Sequence, residues 1–513
     1  MDTHPNPPIV HLPGEILTTV FSLLPPRSVV GLTHVCRRWR QLAISYPSLW
    51  SVISLGEPSE SVDFSVLPNF SMALSDSSLH DLASNSWSPQ NLSPDLIELF
   101  RANPGFFVQL HMLDEYLTRS KQLPLEFHLS QCLDLDGFDY YVDALVAHLT
   151  RWRTAFIQVE DNDGLQKLRE CFGLGSGSPR GLNSVASLPS LETLSIDIQI
   201  GRDLEGRVPM LQVYARRVPS LTCLVLSNDA IRCYVNPFLP SSITTLYLDC
   251  ILSLHHSLQL THQALRSVLS LPLLETLSIH GTFFPAVISP QNDVTPITMG
   301  RLKYFRYLGS QAGFRYLVQL METPELRFIC LVGISLAYLS RHESFNTSKE
   351  RGLFATVTEL ILFNCHFNAD EQFATLFSWA PNVQQLGIAG RYTLKRFAEA
   401  LKASLVPAPA AGLSVPTNSK PQIFRNLESV WFKVDKDFKL IFQEFILHRL
   451  RGGWLPKLSV SDPLEGDLQA VDGLGVEVRR WDHIHEWSPF QSLVIPGSKL
   501  GTENANFWGR INI

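Results

Sequence analysis

The sequence predicts an α/β solenoid: a small helical module at the N-terminus, then a long body in which short strands and helices alternate. Three observations predict it. A phrase of the form L-x-x-L-x-L recurs nine times between Leu191 and Phe432. Apolar residues at helical spacing, punctuated by prolines, fill the first fifty positions. The 513 residues are 45% hydrophobic, enough for a large core and too much for a mostly disordered chain.

The N-terminal module comes first. Pro13 suits the first turn of a helix, where its missing N–H costs nothing, and Glu15 stands where the helix dipole favours an anion. Ile16, Leu17, Val20, Phe21 and Leu24 then fall on one apolar face, and Pro25-Pro26 ends the helix. Ser28 is placed to cap a second helix. Leu32, Val35, Cys36, Trp39, Leu42 and Ala43 continue an apolar face interrupted by Arg37, Arg38 and Arg40, and Tyr46-Pro47-Ser48-Leu49-Trp50 closes the unit. A module of about forty residues in three short helices cannot enclose a core of its own. It must lean on a partner or on the neighbouring domain.

Four ordered fragments give this module a likeness: Leu-Pro-x-Glu-Ile-Leu from Leu12, Leu-Pro-Pro from Leu24, Val-Cys-Arg-x-Trp-Arg from Val35, and Pro-x-Leu-Trp from Pro47. Together they resemble the F-box. The resemblance implies packing against an adaptor of the S-phase-kinase-associated type, which links the chain to a cullin within an SCF-type cullin–RING ubiquitin ligase. It also implies that Leu12, Pro13, Ile16, Leu17, Val20, Leu24, Leu32, Val35, Cys36 and Trp39 are the contact and core positions. The alternative is a plain helical cap closing one end of a non-catalytic repeat scaffold, which such a body needs in any case. The arginine run suits an acidic adaptor surface as well as it suits a solvated helix face.

From Gly56 to about Pro94 the composition shifts to Ser, Pro, Asp and Asn, which reads as a linker or extended loop. Val108 to Arg119 has helical spacing, Ser120 to Leu129 alternates like a half-buried strand, Phe138 to Leu149 is helix-like, and Arg151 to Val159 is a second strand. This order resembles large F-box families of mushroom-forming fungi, and it makes residues 95–180 the irregular start of the repeat body.

The nine phrases begin at Leu191, Leu221, Ile243, Leu274, Leu302, Leu326, Val357, Val383 and Leu427, 22–31 residues apart except for a gap of 44 before the last. That period is near the ~20–29 residues of leucine-rich repeats. Each phrase is a short strand whose apolar side chains enter the core, and stretches such as Thr261 to Ser270 supply the covering helices. Pro189, Pro219, Pro272, Pro324 and Pro381 stand two residues before a phrase. The long gap holds a low-complexity insertion, residues 403–422. Regular leucine-rich repeats place Asn or Cys at the following turn. Here only Cys365 does so; the others are Gln199, Asp229, Ile251, Thr282, Ser310, Ile334, Arg391 and Asp435, so the solenoid should be irregular. The expected organisation is a helical module at 1–55, a linker at 56–94, the irregular start at 95–180, repeats at 181–460, and a Trp-rich C-terminal cap at 461–513.

The chain offers little for chemistry. Forty-two Lys and Arg against 48 Asp and Glu give a net charge of −6, which leaves no basic footprint for nucleic acid. No phosphate-cradling, zinc-protease or nucleophile-elbow motif occurs. Gly173-x-Gly175-x-Gly177 reads as a flexible loop, and Asp134 to Asp139 lacks the closing glutamate of a calcium loop. Eight cysteines contain no C-x-x-C pair, so neither a zinc site nor a disulfide framework is expected. No apolar run approaches the ~18–20 residues of a membrane span, and Met1 to Pro8 lacks the order of a signal peptide. The expectation is a cytoplasmic or nuclear, non-catalytic chain without cofactor or metal, binding an adaptor and an unidentified target protein.

Overall fold

A computed structural model describes residues 12–24, 26–55, 104–130, 135–171, 187–198, 218–228, 230–231, 239–249, 262–281, 295–336, 352–367, 370–390, 393, 396, 426–433, 457–461 and 477–478. The expected linker at 56–94, the glycine-rich loop at 173–177, the insertion at 403–422 and most of the expected C-terminal cap lie outside these residues. The described residues fall into two compact units, one running through Leu221 and one beginning at Thr222.

The first unit opens with α1 (Gly14–Ser22), α2 (Pro26–Val35) and α3 (Arg37–Ser45), then a 3-10 turn (Pro47–Trp50) and β1 (Val52–Leu55). Pro13 precedes α1, and its carbonyl accepts the Leu17 N–H at 3.1 Å. The second helix starts earlier than Ser28, which lies inside it. Pro26 is its first residue, and a proline's preset φ and absent N–H fit that place better than a serine cap two residues on. Cys36 is extended (φ −158°, ψ 167°) and separates α2 from α3, and its Sγ accepts the Trp39 N–H at 3.5 Å. Extended backbone at Cys36 thus divides an apolar face that is continuous in the sequence.

The unit continues with α4 (Pro104–Arg119), β2 (Leu125–Ser130), α5 (Leu135–Val146), a 3-10 turn (Leu149–Arg151), β3 (Trp152–Val159), α6 (Asn162–Cys171) and β4 (Thr193–Ile198). Strands β1, β2, β3 and β4 pair in that order, all parallel. Their register aligns Ile53, Phe127, Ala155 and Leu194 in one buried column, and Leu55, Leu129, Ile157 and Ile196 in the next. Two features depart from the sequence reading. The helical module ends in a strand, and β2 is not half-buried: His128 and Ser130, on its other face, are buried as well. Residues 120–124 form the turn before β2 rather than its beginning. There Arg151 donates to Ser120 Oγ at 2.6 Å and to the Leu123 carbonyl at 3.0 Å.

The second unit contains β5 (Cys223–Asn228), β6 (Thr245–Asp249), α7 (His262–Leu269), β7 (Thr276–His280), β8 (Ile297–Thr298), β9 (Tyr304–Leu308), α8 (Gln311–Leu320) and β10 (Met321–Glu322). After these come β11 (Phe328–Val332), β12 (Glu359–Phe363), α9 (Asp370–Trp379), β13 (Gln385–Ala389), β14 (Ser429–Lys433), β15 (Lys457–Ser461) and β16 (Glu477–Val478). Its sheet is parallel throughout, in the order β5-β6-β7-β9-β11-β12-β13-β14-β15-β16, and β8 pairs β10 beside it. Parallel pairing requires a crossover between successive strands, and α7, α8 and α9 each occupy one. β16 places a further strand within 461–513.

All nine phrases coincide with strands. Leu224, Leu246, Leu277, Phe305, Ile329, Leu360, Leu386 and Val430 stack in register, every one buried. The first apolar residue of each phrase sits before the strand, and in the first eight phrases it closes a tight turn. Thus Leu221 N–H donates to Val218 O at 3.1 Å, and Leu326 N–H to Thr323 O at 3.3 Å. The prolines occupy the second position of these turns, where their fixed φ is already the one required.

Candidate docking surface on the N-terminal helices

The single apolar face that the sequence shows on α1 is divided in space. Leu17 and Phe21 turn inward, and the Phe21 ring lies 5.1 Å from that of Trp39. Ile16, Val20 and Leu23, at i, i+4 and i+7, form an adjacent stripe that is 49%, 43% and 76% exposed, and Val35 and Ile44 are 59% and 44% exposed on α2 and α3. A folded module that leaves five large aliphatic side chains in water is suited to docking against another protein.

The ten sequence-derived positions therefore separate into groups. Leu17 and Leu32 are core of the module itself. Pro13, Ile16, Val20, Val35 and Cys36 face outward, while Leu12, Leu24 and Trp39 are half-buried. Leu23 and Ile44 join the exposed set without having been singled out. Leu23 could have been found by continuing the Ile16–Val20 spacing one more turn, whereas nothing in the local pattern marks Ile44.

The arginine run has a further use. The Arg38 guanidinium donates to the Leu12 carbonyl, and Arg40 Nε donates to the Thr33 carbonyl at 2.7 Å. Two of the three cations thus tie the start of α1 and the end of α2 to α3. Arg40 stays exposed and Arg38 half-buried, so these bonds add a structural duty to the run.

The module rests on the body through Trp50. Its indole N–H donates to the Ala43 carbonyl at 2.7 Å, and its ring meets Tyr116 of α4 edge-on at 5.1 Å. The Arg119 guanidinium lies 4.4 Å from the same ring, held on its other side by Glu115 at 2.7 Å. Next to this contact the Glu126 N–H of β2 donates to the Ser51 carbonyl at 2.9 Å.

Among the described residues no group of three or more His, Cys, Asp or Glu is placed to hold a metal ion. Burial pushes the Cys223, Cys330 and Cys365 thiols up to about 12, so at neutral pH they are protonated. Cys365 Sγ lies 3.4 Å from the Leu331 carbonyl, joining the ends of the neighbouring strands β12 and β11. On the sheet face away from the leucine columns, His280 Nδ1 lies 2.6 Å from the Asp249 carboxylate. No helix among the described residues is long and apolar enough to cross a membrane.

Residues 9–55 match the model of the F-box-like family. No curated protein matches the chain. The matched segment runs from before α1 through β1, so it includes every exposed aliphatic residue described above. The N-terminal region is an F-box-like domain, and it is followed by a body of parallel strands and helices. Domains of this family generally bind adaptors of the S-phase-kinase-associated type within SCF complexes, which suggests that role for residues 9–55.

Proposed function

We propose that this chain is the substrate-recognition subunit of an SCF-type cullin–RING ubiquitin ligase. The F-box-like domain takes the adaptor, the adaptor connects the chain to a cullin, and the body holds a target protein. The observation that carries the reading is the coincidence of the family match with the exposed Ile16, Val20 and Leu23 stripe. Fully burying an aliphatic side chain is worth about 1.5–3 kcal/mol, so covering the half-exposed Ile16 and Val20 contributes about 1 kcal/mol each, and covering Leu23 more. In this reading Pro13, Val35 and Cys36 also touch the adaptor, with Leu12, Leu24 and Trp39 at the margin. Leu17 and Leu32 support that surface from within.

The body is a leucine-rich-repeat solenoid in the same proposal, its repeats spanning about residues 181–460. Nine phrases on nine parallel strands support it, as do the proline turns and the thiol of Cys365 at a turn position. The likeness of residues 108–159 to fungal F-box families agrees with a body that begins irregularly. The chain is non-catalytic and acts in the cytoplasm, the nucleus or both.

The test is co-purification of the full-length chain with a purified adaptor, beside an Ile16→Asp/Val20→Asp variant. Both side chains are exposed, so the variant should keep its circular dichroism spectrum and Tm while losing adaptor affinity about 30-fold, from about 2 kcal/mol of lost burial at two aliphatic anchors. Absence of adaptor binding by a folded wild-type chain would remove the proposal.

A further inference from the structure

We propose that the F-box-like domain and the first parallel ladder of the body form one cooperative folding unit, so that a protein bound on α1–α3 also stabilises β2. The folding half of this stands on the structure alone. The binding half rests on the adaptor reading.

The joint is built from side chains and backbone that neither part can do without. β1 has only four residues, Val52–Leu55, and belongs to the matched segment, yet the strand it pairs with starts at Leu125. A strand of that length has no stability alone. Its buried residues Ile53 and Leu55 lie opposite Phe127 and Leu129 of β2, so they are covered as part of the body's columns. Trp50 is buried by both parts at once: its N–H returns to α3 at Ala43, and its ring is enclosed by Tyr116 and Arg119 of α4. Separating the helices from the ladder would expose the largest fully buried side chain of the described residues. It would also leave the Ser51 carbonyl and the Glu126 N–H without each other.

Partial opening in proteins follows cooperative units, and amide hydrogen exchange reads them. If the helices and ladder open together, every amide in them is exposed by the same event. The Glu126 N–H, which exchanges only when Ser51 lets go, then reports on the F-box-like domain from inside the body.

The experiment is amide exchange of the full-length chain, wild type and Arg119→Ala. Arg119 lies outside the matched segment, and its loss removes the contact over Trp50 without creating a large cavity. The proposal predicts that exchange in α1–α3 and at Glu126 accelerates by a common factor of about two to five, the worth of one cation–π contact. Acceleration confined to α4 and β2, with α1–α3 unchanged, would overturn it. A second arm adds the adaptor at about 100 times its Kd. Glu126 should then slow by the same factor as the α1 amides, up to about 100-fold. Protection of α1–α3 that stops short of Glu126 would overturn the coupling. No protection anywhere would instead sink the adaptor reading, leaving the Arg119→Ala arm to decide the cooperativity.

Discussion

Ile16 and Leu17 are adjacent in the chain, yet one faces solvent and the other is fully buried. The sequence shows them as one apolar face because helical periodicity records amphipathicity, not which half of a broad stripe the rest of the module covers. The cysteines divide in the same way. Cys36 is exposed, while Cys330 and Cys365 are buried, their thiols pushed up to about 12 by burial. In the native chain at pH 8, iodoacetamide should therefore label Cys36 and spare Cys330 and Cys365 until denaturant is added, as read by peptide mass. Labelling of the buried pair at the rate of Cys36 would contradict the packing. The same shifts act on stability. Unfolded thiols ionise near 9 and the native ones near 12, so between these values the native state holds more protons. Their contribution is fully present below about pH 9 and is lost as pH rises toward about 12. A Cys330→Ala/Cys365→Ala variant should show a shallower decline of its urea midpoint over that window.

At the scale of elements, the strands of the second unit were the most legible part of the chain. A period-2 pair of apolar residues behind a proline turn has few other uses, and the Leu246–Leu277–Phe305 column is what such pairs build when stacked in register. Less legible were elements whose partners lie far away in the chain. β1 has four residues and no punctuation of its own, and only pairing with β2 makes it a strand. β2 reads as half-buried because His128 and Ser130 are polar, and a local pattern carries no signal for what covers the second face. The turn after β13 illustrates how tightly neighbouring strand ends meet. Gly390 has φ +90°, and a Cβ there would lie 1.7 Å from the side-chain oxygen of Asn364, itself at φ +51° after β12. Gly390→Ala should destabilise the second unit by about 1–3 kcal/mol, from strained backbone and a displaced Asn364. An unchanged denaturation midpoint would show that this turn is freer than described.

For the whole molecule, the F-box-like domain was legible from four short fragments in order, because residues such as Leu17, Cys36, Trp39 and Trp50 each have a distinct structural duty there. Cys36 divides two helices, and Trp50 binds the module to α4. The identity of a target is not written in the same way, since a binding face is matched to a partner and not to a rule of folding. The chain's central role in this account is to bridge, so the most direct measurement is assembly. Full-length chain, adaptor and the adaptor-binding half of a cullin should be mixed and their sedimentation followed. The account predicts a ternary complex that forms only when the adaptor is present and that is lost with Ile16→Asp/Val20→Asp. If the folded wild-type chain sediments alone in the presence of both proteins, the bridging role is wrong, and the N-terminal helices serve the fold only.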